Sequence, residues 1–160
     1  MEPNTIKIFL VDDQPSCLEL YAWYLANLGY THVQYFNKSS ECLEQLILRP
    51  DIIFLDYDMD NFNGIDILKK IRRFDPNILV VLILRQNEIN IGINALKYGA
   101  LHYTSKENID EDRIRVCLEK VGKIRDIQLK RQKLGIVGKL LAPVGLFLKF
   151  LFHQKIAAKI

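Results

Sequence analysis

The sequence of 160 residues is poor in cysteine, carries little net charge and contains no long uninterrupted apolar run. Its three cysteines, Cys17, Cys42 and Cys117, lie far apart, which argues against a disulfide framework and for a reducing, cytoplasmic compartment. A net charge of +3 is too small to predict nucleic-acid binding. Met1 leads into polar residues, so we expect no signal peptide, and no apolar stretch approaches the ~20 residues that a transmembrane helix needs.

Short apolar runs alternate with segments of helical periodicity along most of the chain. The runs, which are typical of buried strands, cover residues 6–11, 52–55, 77–84 and 101–104. The helical patterns cover residues 16–28, 39–48, 64–74, 89–98 and 110–133. This alternation predicts a doubly wound α/β domain over residues 1–125, with a parallel sheet between layers of helices.

The apolar positions of the predicted helices indicate which faces pack on the sheet. In the helix predicted for residues 89–98, we expect Ile89, Ile93 and Leu96 to face the core. In the last predicted helix the expected core residues are Ile114, Cys117, Leu118 and Val121.

Carboxylates follow two of the predicted strands directly. Asp12 and Asp13 come after the first run, and Asp56 comes after the second. In open α/β sheets, ligands bind outside the carboxyl ends of the strands, so we expect the three side chains to converge there if the strands are neighbours. Carboxylates so close repel one another unless a hard cation lies among them. The pattern therefore predicts a Mg²⁺ site with one carboxylate available for chemistry.

Three sequence segments carry a resemblance to a known family. They are V-D-D at residues 11–13, L-D-Y-D-M-D-N-F-N-G at residues 55–64, and A-L-K-Y-G-A-L-H-Y-T-S-K at residues 95–106. In this order and spacing they resemble the receiver domain of two-component response regulators. The resemblance implies a flavodoxin-like receiver fold with a five-stranded parallel sheet. It also implies a phosphoryl-accepting signalling domain rather than an enzyme, with a histidine kinase or histidine phosphotransfer protein as its partner.

The resemblance also assigns roles to individual residues. Asp56 corresponds to the phosphoacceptor, a carboxylate that becomes an aspartyl phosphate. Asp13 and Asp56 correspond to side-chain ligands of Mg²⁺, and Asp12 to the residue that holds metal-bound water. Asp58 lies where the family supplies a backbone carbonyl to the metal. Lys106 corresponds to the lysine whose ammonium reaches a phosphoryl oxygen.

The sequence departs from the family pattern near the switch residues. Leu84 occupies the position of a threonine or serine whose hydroxyl binds the phosphoryl group, and Arg85 follows where a small residue is usual. Asp60 and Glu107 each replace a proline. Tyr103 lies at the position of the switch aromatic, which the family couples to the missing hydroxyl. We therefore expect intact phosphoacceptor chemistry with an altered switch.

Other interpretations of the same residues stay open at this point. Asp12 and Asp13 could cap the following helix. The D-x-D at Asp56 is similar to haloacid-dehalogenase phosphatases, although those place the nucleophile after the first strand. The chain could also be a degenerate receiver that serves as an interaction scaffold or a membrane-associated scaffold independently of phosphorylation.

The last part of the chain differs in character from the rest. We predict a basic and apolar helical extension over residues 126–160, in which residues 134–160 contain no acidic residue. This segment could pack on the receiver or on a second copy, forming a homodimer. It could also lie on an anionic membrane surface, because an apolar stripe with lysines suits one. Contact with nucleic acid ranks last, because the segment is apolar rather than highly charged.

The first predicted helix carries Trp23 on the side opposite its apolar face. An exposed tryptophan is often an interaction anchor. In the family that the chain resembles, this helix is the docking surface for the histidine-bearing partner, so one hypothesis is that Trp23 takes part in docking. The alternative is that the C-terminal segment half covers Trp23.

Overall fold

A computed structural model describes residues 5–59 and 62–130 of the chain. Its main sheet has five parallel strands: β1 (Ile8–Val11), β2 (Val33–Phe36), β3 (Ile52–Asp56), β6 (Leu79–Leu84) and β7 (His102–Ser105). Across the sheet they lie in the order β2-β1-β3-β6-β7. Two short strands, β4 (Asp58–Met59) and β5 (Phe62–Asn63), form a separate antiparallel ladder directly after β3.

Helices cover both faces of the sheet, as predicted for a doubly wound α/β domain. They are α1 (Pro15–Asn27), α2 (Ser39–Glu44), α3 (Gly64–Phe74), α4 (Ile89–Lys97) and α5, which covers residues 111–130. The hydrophobic cluster on one face receives side chains from α2, α3 and α4. The cluster on the other face receives side chains from α1 and α5, including the predicted core residues Ile114, Cys117, Leu118 and Val121.

Strand β2 was absent from the predicted apolar runs. It lies at the edge of the sheet beside β1, and only Phe36 of its four residues is buried. An edge strand with one buried side chain leaves a weak apolar pattern, which explains why periodicity did not find it. The strand predicted from residue 77 begins instead at Leu79, because the backbone N–H of Asn77 donates to the Asp75 carboxylate in a tight turn.

The predicted core face of α4 was wrong. Ile93 and Leu96 are exposed, whereas Gly92 and Ala95 face the sheet. Small residues on the inner side let the helix approach the sheet closely, and larger apolar residues at these positions would not fit. The pattern of large apolar residues therefore marked the outer face of this helix.

The chain divides into two compact units, residues 1–121 and residues 122–160. The described part of the second unit, residues 122–130, is helical. The segment 134–160, for which self-association or membrane contact is predicted, lies outside the described residues. Within the described ranges, no helix combines the length and the apolar character needed to cross a membrane.

Candidate functional site

The three carboxylates predicted to converge do so at the carboxyl end of the sheet. Strands β1 and β3 are neighbours, with Val11 paired with Leu55, so the aspartates that follow these two residues emerge side by side. Carboxylate oxygens of Asp12, Asp13 and Asp56 lie within 4.8 Å of one another. Asp12 is fully buried and Asp56 is 2% exposed, while Asp13 is exposed. The cluster is therefore open to solvent on the side of Asp13.

Lys106, which directly follows β7, reaches the buried part of this cluster. Its Nζ lies 2.7 Å from Oδ2 of Asp56 and donates a hydrogen bond to it. The same nitrogen donates to Oδ1 of Asp12 at 3.2 Å. A backbone N–H, that of Gln14, also donates to Asp12 Oδ1, at 3.0 Å. Asp12 therefore does not cap the following helix, whose N-cap is Gln14 and has no side-chain cap hydrogen bond. The same Oδ1 that accepts from the Gln14 backbone also faces the cluster and accepts from Lys106.

Burial sets the protonation of the central pair. The pKa of Asp56 is raised to about 6, chiefly by burial, with a smaller upward contribution from the charge of Asp12, and together these outweigh the hydrogen bond from Lys106. Burial lowers the pKa of Lys106, but hydrogen bonds to Asp56 and Asp12 outweigh burial, so the net shift is upward. At neutral pH Lys106 is therefore an ammonium and Asp56 is mostly ionised.

The charge of the cluster suits a divalent cation. One ammonium neutralises one of three carboxylates, which leaves a net excess of negative charge in a largely buried site. Oδ2 of Asp12 lies 3.0 Å from Lys106 Nζ but accepts no hydrogen bond, and it is one of two such buried oxygens among the described residues. Mg²⁺ prefers one or two carboxylates together with water and phosphate oxygens, so these residues fit it.

The predicted switch residues pack in one apolar cluster. Leu84, at the end of β6, is 2% exposed and belongs to the cluster beneath α3 and α4. Tyr103 is partly buried against the same cluster, and its ring lies over Gly92 of α4. Leu84, which the sequence analysis predicted at a position of a hydroxyl residue, is therefore surrounded by hydrocarbon.

Asp58 and Arg85 form an ion pair that the sequence analysis did not predict. Nη2 of Arg85 lies 3.0 Å from Oδ2 of Asp58, and both side chains are about half exposed. The carboxylate of Asp58 is not part of the cluster of Asp12, Asp13 and Asp56. The available signal was Arg85 itself, a long cation where a small residue is usual, but the pairing depends on how β3 and β6 align.

A protein-family model described as "Response regulator receiver domain" matches residues 8–119. Among curated proteins, the chain is 33% identical over 121 residues to the transcriptional regulatory protein ZraR of Escherichia coli O157:H7, covering 75% of this chain and 27% of that protein. It is 28% identical over 135 residues to the alginate biosynthesis transcriptional regulatory protein AlgB of Pseudomonas putida, covering 83% and 30%. The chain thus spans less than a third of either relative.

Solved structures with the same fold include two bacterial proteins. A response regulator receiver domain protein from Clostridium thermocellum superimposes with a TM-score of 0.72 at 22% identity, over 77% of this chain and 98% of that chain. NtrX from Brucella abortus superimposes with a TM-score of 0.72 at 23% identity, over 80% of this chain and 29% of that chain.

Proposed function

Because this chain belongs to the response regulator receiver domain family, we propose that it accepts a phosphoryl group on Asp56 in a Mg²⁺-dependent reaction. The observation that carries this proposal is the 2.7 Å contact between Lys106 Nζ and Asp56 Oδ2 beside two further carboxylates. The chain acts in this view as a phosphorylated signalling domain rather than as an enzyme with an external substrate.

The covalent step is an in-line displacement at phosphorus. A carboxylate oxygen of Asp56 attacks the phosphorus of a phosphohistidine, so a P–O bond forms as the P–N bond breaks. The electron pair leaves with the histidine nitrogen, which takes a proton from solvent. Lys106, already hydrogen-bonded to Asp56 and Asp12, can direct its one remaining N–H group toward a phosphoryl oxygen.

Asp13 and Asp56 would hold Mg²⁺ through their carboxylates, with Asp12 holding metal-bound water and the Asp58 carbonyl completing the site. When bound, the cation neutralises negative charge on the transferring group. Although burial raises the pKa of Asp56 to about 6, this value still lies below 7, so the carboxylate needed for binding and attack predominates at neutral pH.

We infer an atypical switch from the surroundings of Leu84. The leucine side chain has no hydrogen-bonding group, and Leu84 is packed among apolar side chains. Leu84 therefore cannot bind a phosphoryl group or move toward it. Tyr103, which the family couples to that movement, would stay in place over Gly92. The opposite proposal, a receiver that acts only as a phosphorylation-independent scaffold, predicts no phosphoryl transfer at all.

We propose a histidine kinase or a histidine phosphotransfer protein as the phosphoryl donor. Trp23, on α1, is 59% exposed, and Leu20, one turn earlier, is also exposed. Both lie on the helix that directly follows the loop carrying Asp12 and Asp13. Trp23→Ala should slow transfer from a histidine-phosphorylated partner but leave phosphorylation by acetyl phosphate unchanged, since the small donor needs no docking surface.

For residues 134–160 we propose self-association or packing on the receiver, ahead of binding to an anionic membrane. Their sequence is apolar and lacks acidic residues. Truncation after Lys133 should convert a dimer to a monomer in the first case and lower the melting temperature in the second. Co-sedimentation of the full chain with anionic vesicles, weakened by salt, would instead favour the membrane.

Acetyl phosphate with Mg²⁺, followed by intact mass measurement, tests the proposed function. We expect a gain of one phosphoryl group that disappears in Asp56→Asn and on removal of Mg²⁺ by a chelator. No gain from acetyl phosphate or from a histidine-phosphorylated partner would support the scaffold proposal instead.

A further inference from the structure

The ion pair between Arg85 and Asp58 crosses the edge of the sheet beside the phosphoacceptor. Strands β3 and β6 are neighbours, with Asp56 paired with Ile83, and the N–H of Tyr57 donates to the carbonyl of Ile83 at 2.9 Å. Asp58 and Arg85 each lie two residues beyond that pair. Their 3.0 Å contact therefore joins the two segments that follow β3 and β6, at the carboxyl end of the sheet where Asp56 lies.

Stability does not account for this ion pair. Both side chains are about half exposed, and exposed pairs contribute only ~0–1 kcal/mol to the free energy of unfolding. The loop that carries Arg85 is nevertheless held in position, because the Arg85 backbone N–H donates to Oε2 of Glu88 at 3.0 Å. The backbone of Arg85 is thus held at the carboxyl end of β6, two residues beyond the position that pairs with Asp56, while the half-exposed guanidinium can exchange its partner.

A phosphoryl group on Asp56 would present three oxygens, and this site offers fewer donors than a typical receiver. Lys106 can supply one donor group, but Leu84 supplies none. Arg85 follows Leu84 directly and extends from β6, which lies between the strands that carry Asp56 and Lys106. A guanidinium binds two phosphoryl oxygens at once, whereas an ammonium acts as a point charge.

We propose that Arg85 binds the phosphoryl group on Asp56 in place of the missing hydroxyl, exchanging its carboxylate partner Asp58 for phosphoryl oxygens. The inference rests on the proposed function, and the covalent step described above is unchanged by it. Phosphorylation then releases Asp58 and loosens the link between the loops after β3 and β6. Arg85 serves both to bind the phosphoryl group and to report its presence through that link.

The test measures binding of beryllofluoride, a mimic of the aspartyl phosphate, to the full chain with Mg²⁺ by fluorine NMR. Arg85→Ala should weaken binding by at least about tenfold, the equivalent of one charge-assisted hydrogen bond. Arg85→Lys should recover part of the affinity, and Leu84→Thr in the Arg85→Ala background should recover more. Arg73→Ala is the matched control, because it removes an exposed arginine in the last turn of α3. That turn leads into the amino end of β6, whereas Asp56 lies at the carboxyl end of the strands.

A second variant tests the exchange itself. Asp58→Asn keeps the backbone carbonyl but frees Arg85, so binding should tighten, and most of this gain should vanish when Arg85→Ala is added. If Arg85→Ala and Arg85→Lys change the beryllofluoride affinity no more than the Arg73→Ala control does, the inference is overturned. The proposed function would remain intact in that case. A wild-type chain that binds no beryllofluoride with Mg²⁺ would overturn both.

Discussion

The ring of Tyr103 occupies the space that a side chain at position 92 would fill. A methyl group on Gly92 would lie 2.5 Å from Cδ2 of Tyr103 and 2.6 Å from Cγ, closer than nonbonded carbon atoms approach. Glycine inside a helix costs about 1 kcal/mol relative to alanine, so its presence in α4 needs a compensating reason. Close packing of the ring on the helix supplies that reason.

Gly92→Ala should displace the Tyr103 ring toward solvent. The new methyl group cannot share the space, and the half-buried ring can move more readily than the helix backbone. We expect a shifted and more exposed Tyr103 ring signal in NMR spectra. Asn94→Ala, on the exposed side of the same helix, is the control: it should leave the ring in place and be the more stable variant. An unmoved ring in Gly92→Ala would contradict this packing.

Leu84→Thr should make Tyr103 responsive to phosphorylation. In the unmodified chain we expect beryllofluoride with Mg²⁺ to leave the Tyr103 signal nearly unchanged, because Leu84 cannot bond to the phosphoryl mimic. In Leu84→Thr the hydroxyl can do so, and the signal should change more. The variant should also lose roughly 1–3 kcal/mol of stability, because a polar group replaces buried hydrocarbon. A large Tyr103 response in the unmodified chain would count against the altered switch.

Mg²⁺ should stabilise the chain against thermal unfolding. Cation binding relieves the repulsion among Asp12, Asp13 and Asp56, and a ligand at a hundred times its Kd adds about 2.7 kcal/mol. Asp13→Asn should lose most of this Mg²⁺-dependent rise in Tm, whereas Glu44→Gln, an exposed carboxylate on α2, should keep it. Equal rises in both variants would place the cation elsewhere.

One contribution to the stability of the chain should be lost as the pH drops below about 6.5, and it comes from His102. Asp56 contributes in the opposite direction, because a carboxyl group whose pKa burial raises to about 6 stabilises the fold more as the pH falls. Burial, with Lys120 and Arg113 nearby, lowers the pKa of His102 below its usual 6.5. The unfolded chain therefore binds the proton on His102 more readily than the folded chain does. The contribution of neutral His102 to stability is complete above pH 6.5, and it is lost as the pH falls from 6.5 to the lower pKa of the folded state. Urea unfolding at several pH values should show that His102→Gln gains stability relative to the wild-type chain as the pH falls below 6.5, because the variant lacks this loss. An identical pH dependence in that variant would refute the assignment.

The sequence predicted those parts of the fold and site that depend on local pattern. Fully buried strands such as β1 and β3 are continuous apolar runs, and carboxylates at their ends share one edge of a parallel sheet. The edge strand β2 and the inner face of α4 escaped prediction because Phe36, Gly92 and Ala95 gain their burial from neighbours distant in sequence. The Arg85–Asp58 ion pair escaped for a similar reason, because it depends on the register between β3 and β6.

The most direct test of the central claim is to identify the residue that carries the phosphoryl group. After reaction with acetyl phosphate and Mg²⁺, borohydride reduces an aspartyl phosphate to homoserine, which peptide mass spectrometry locates. We predict homoserine at position 56 alone, and none in Asp56→Asn or in chain treated without Mg²⁺. Homoserine at another aspartate, or none in the wild-type chain, would contradict the assignment of Asp56 as the phosphoacceptor.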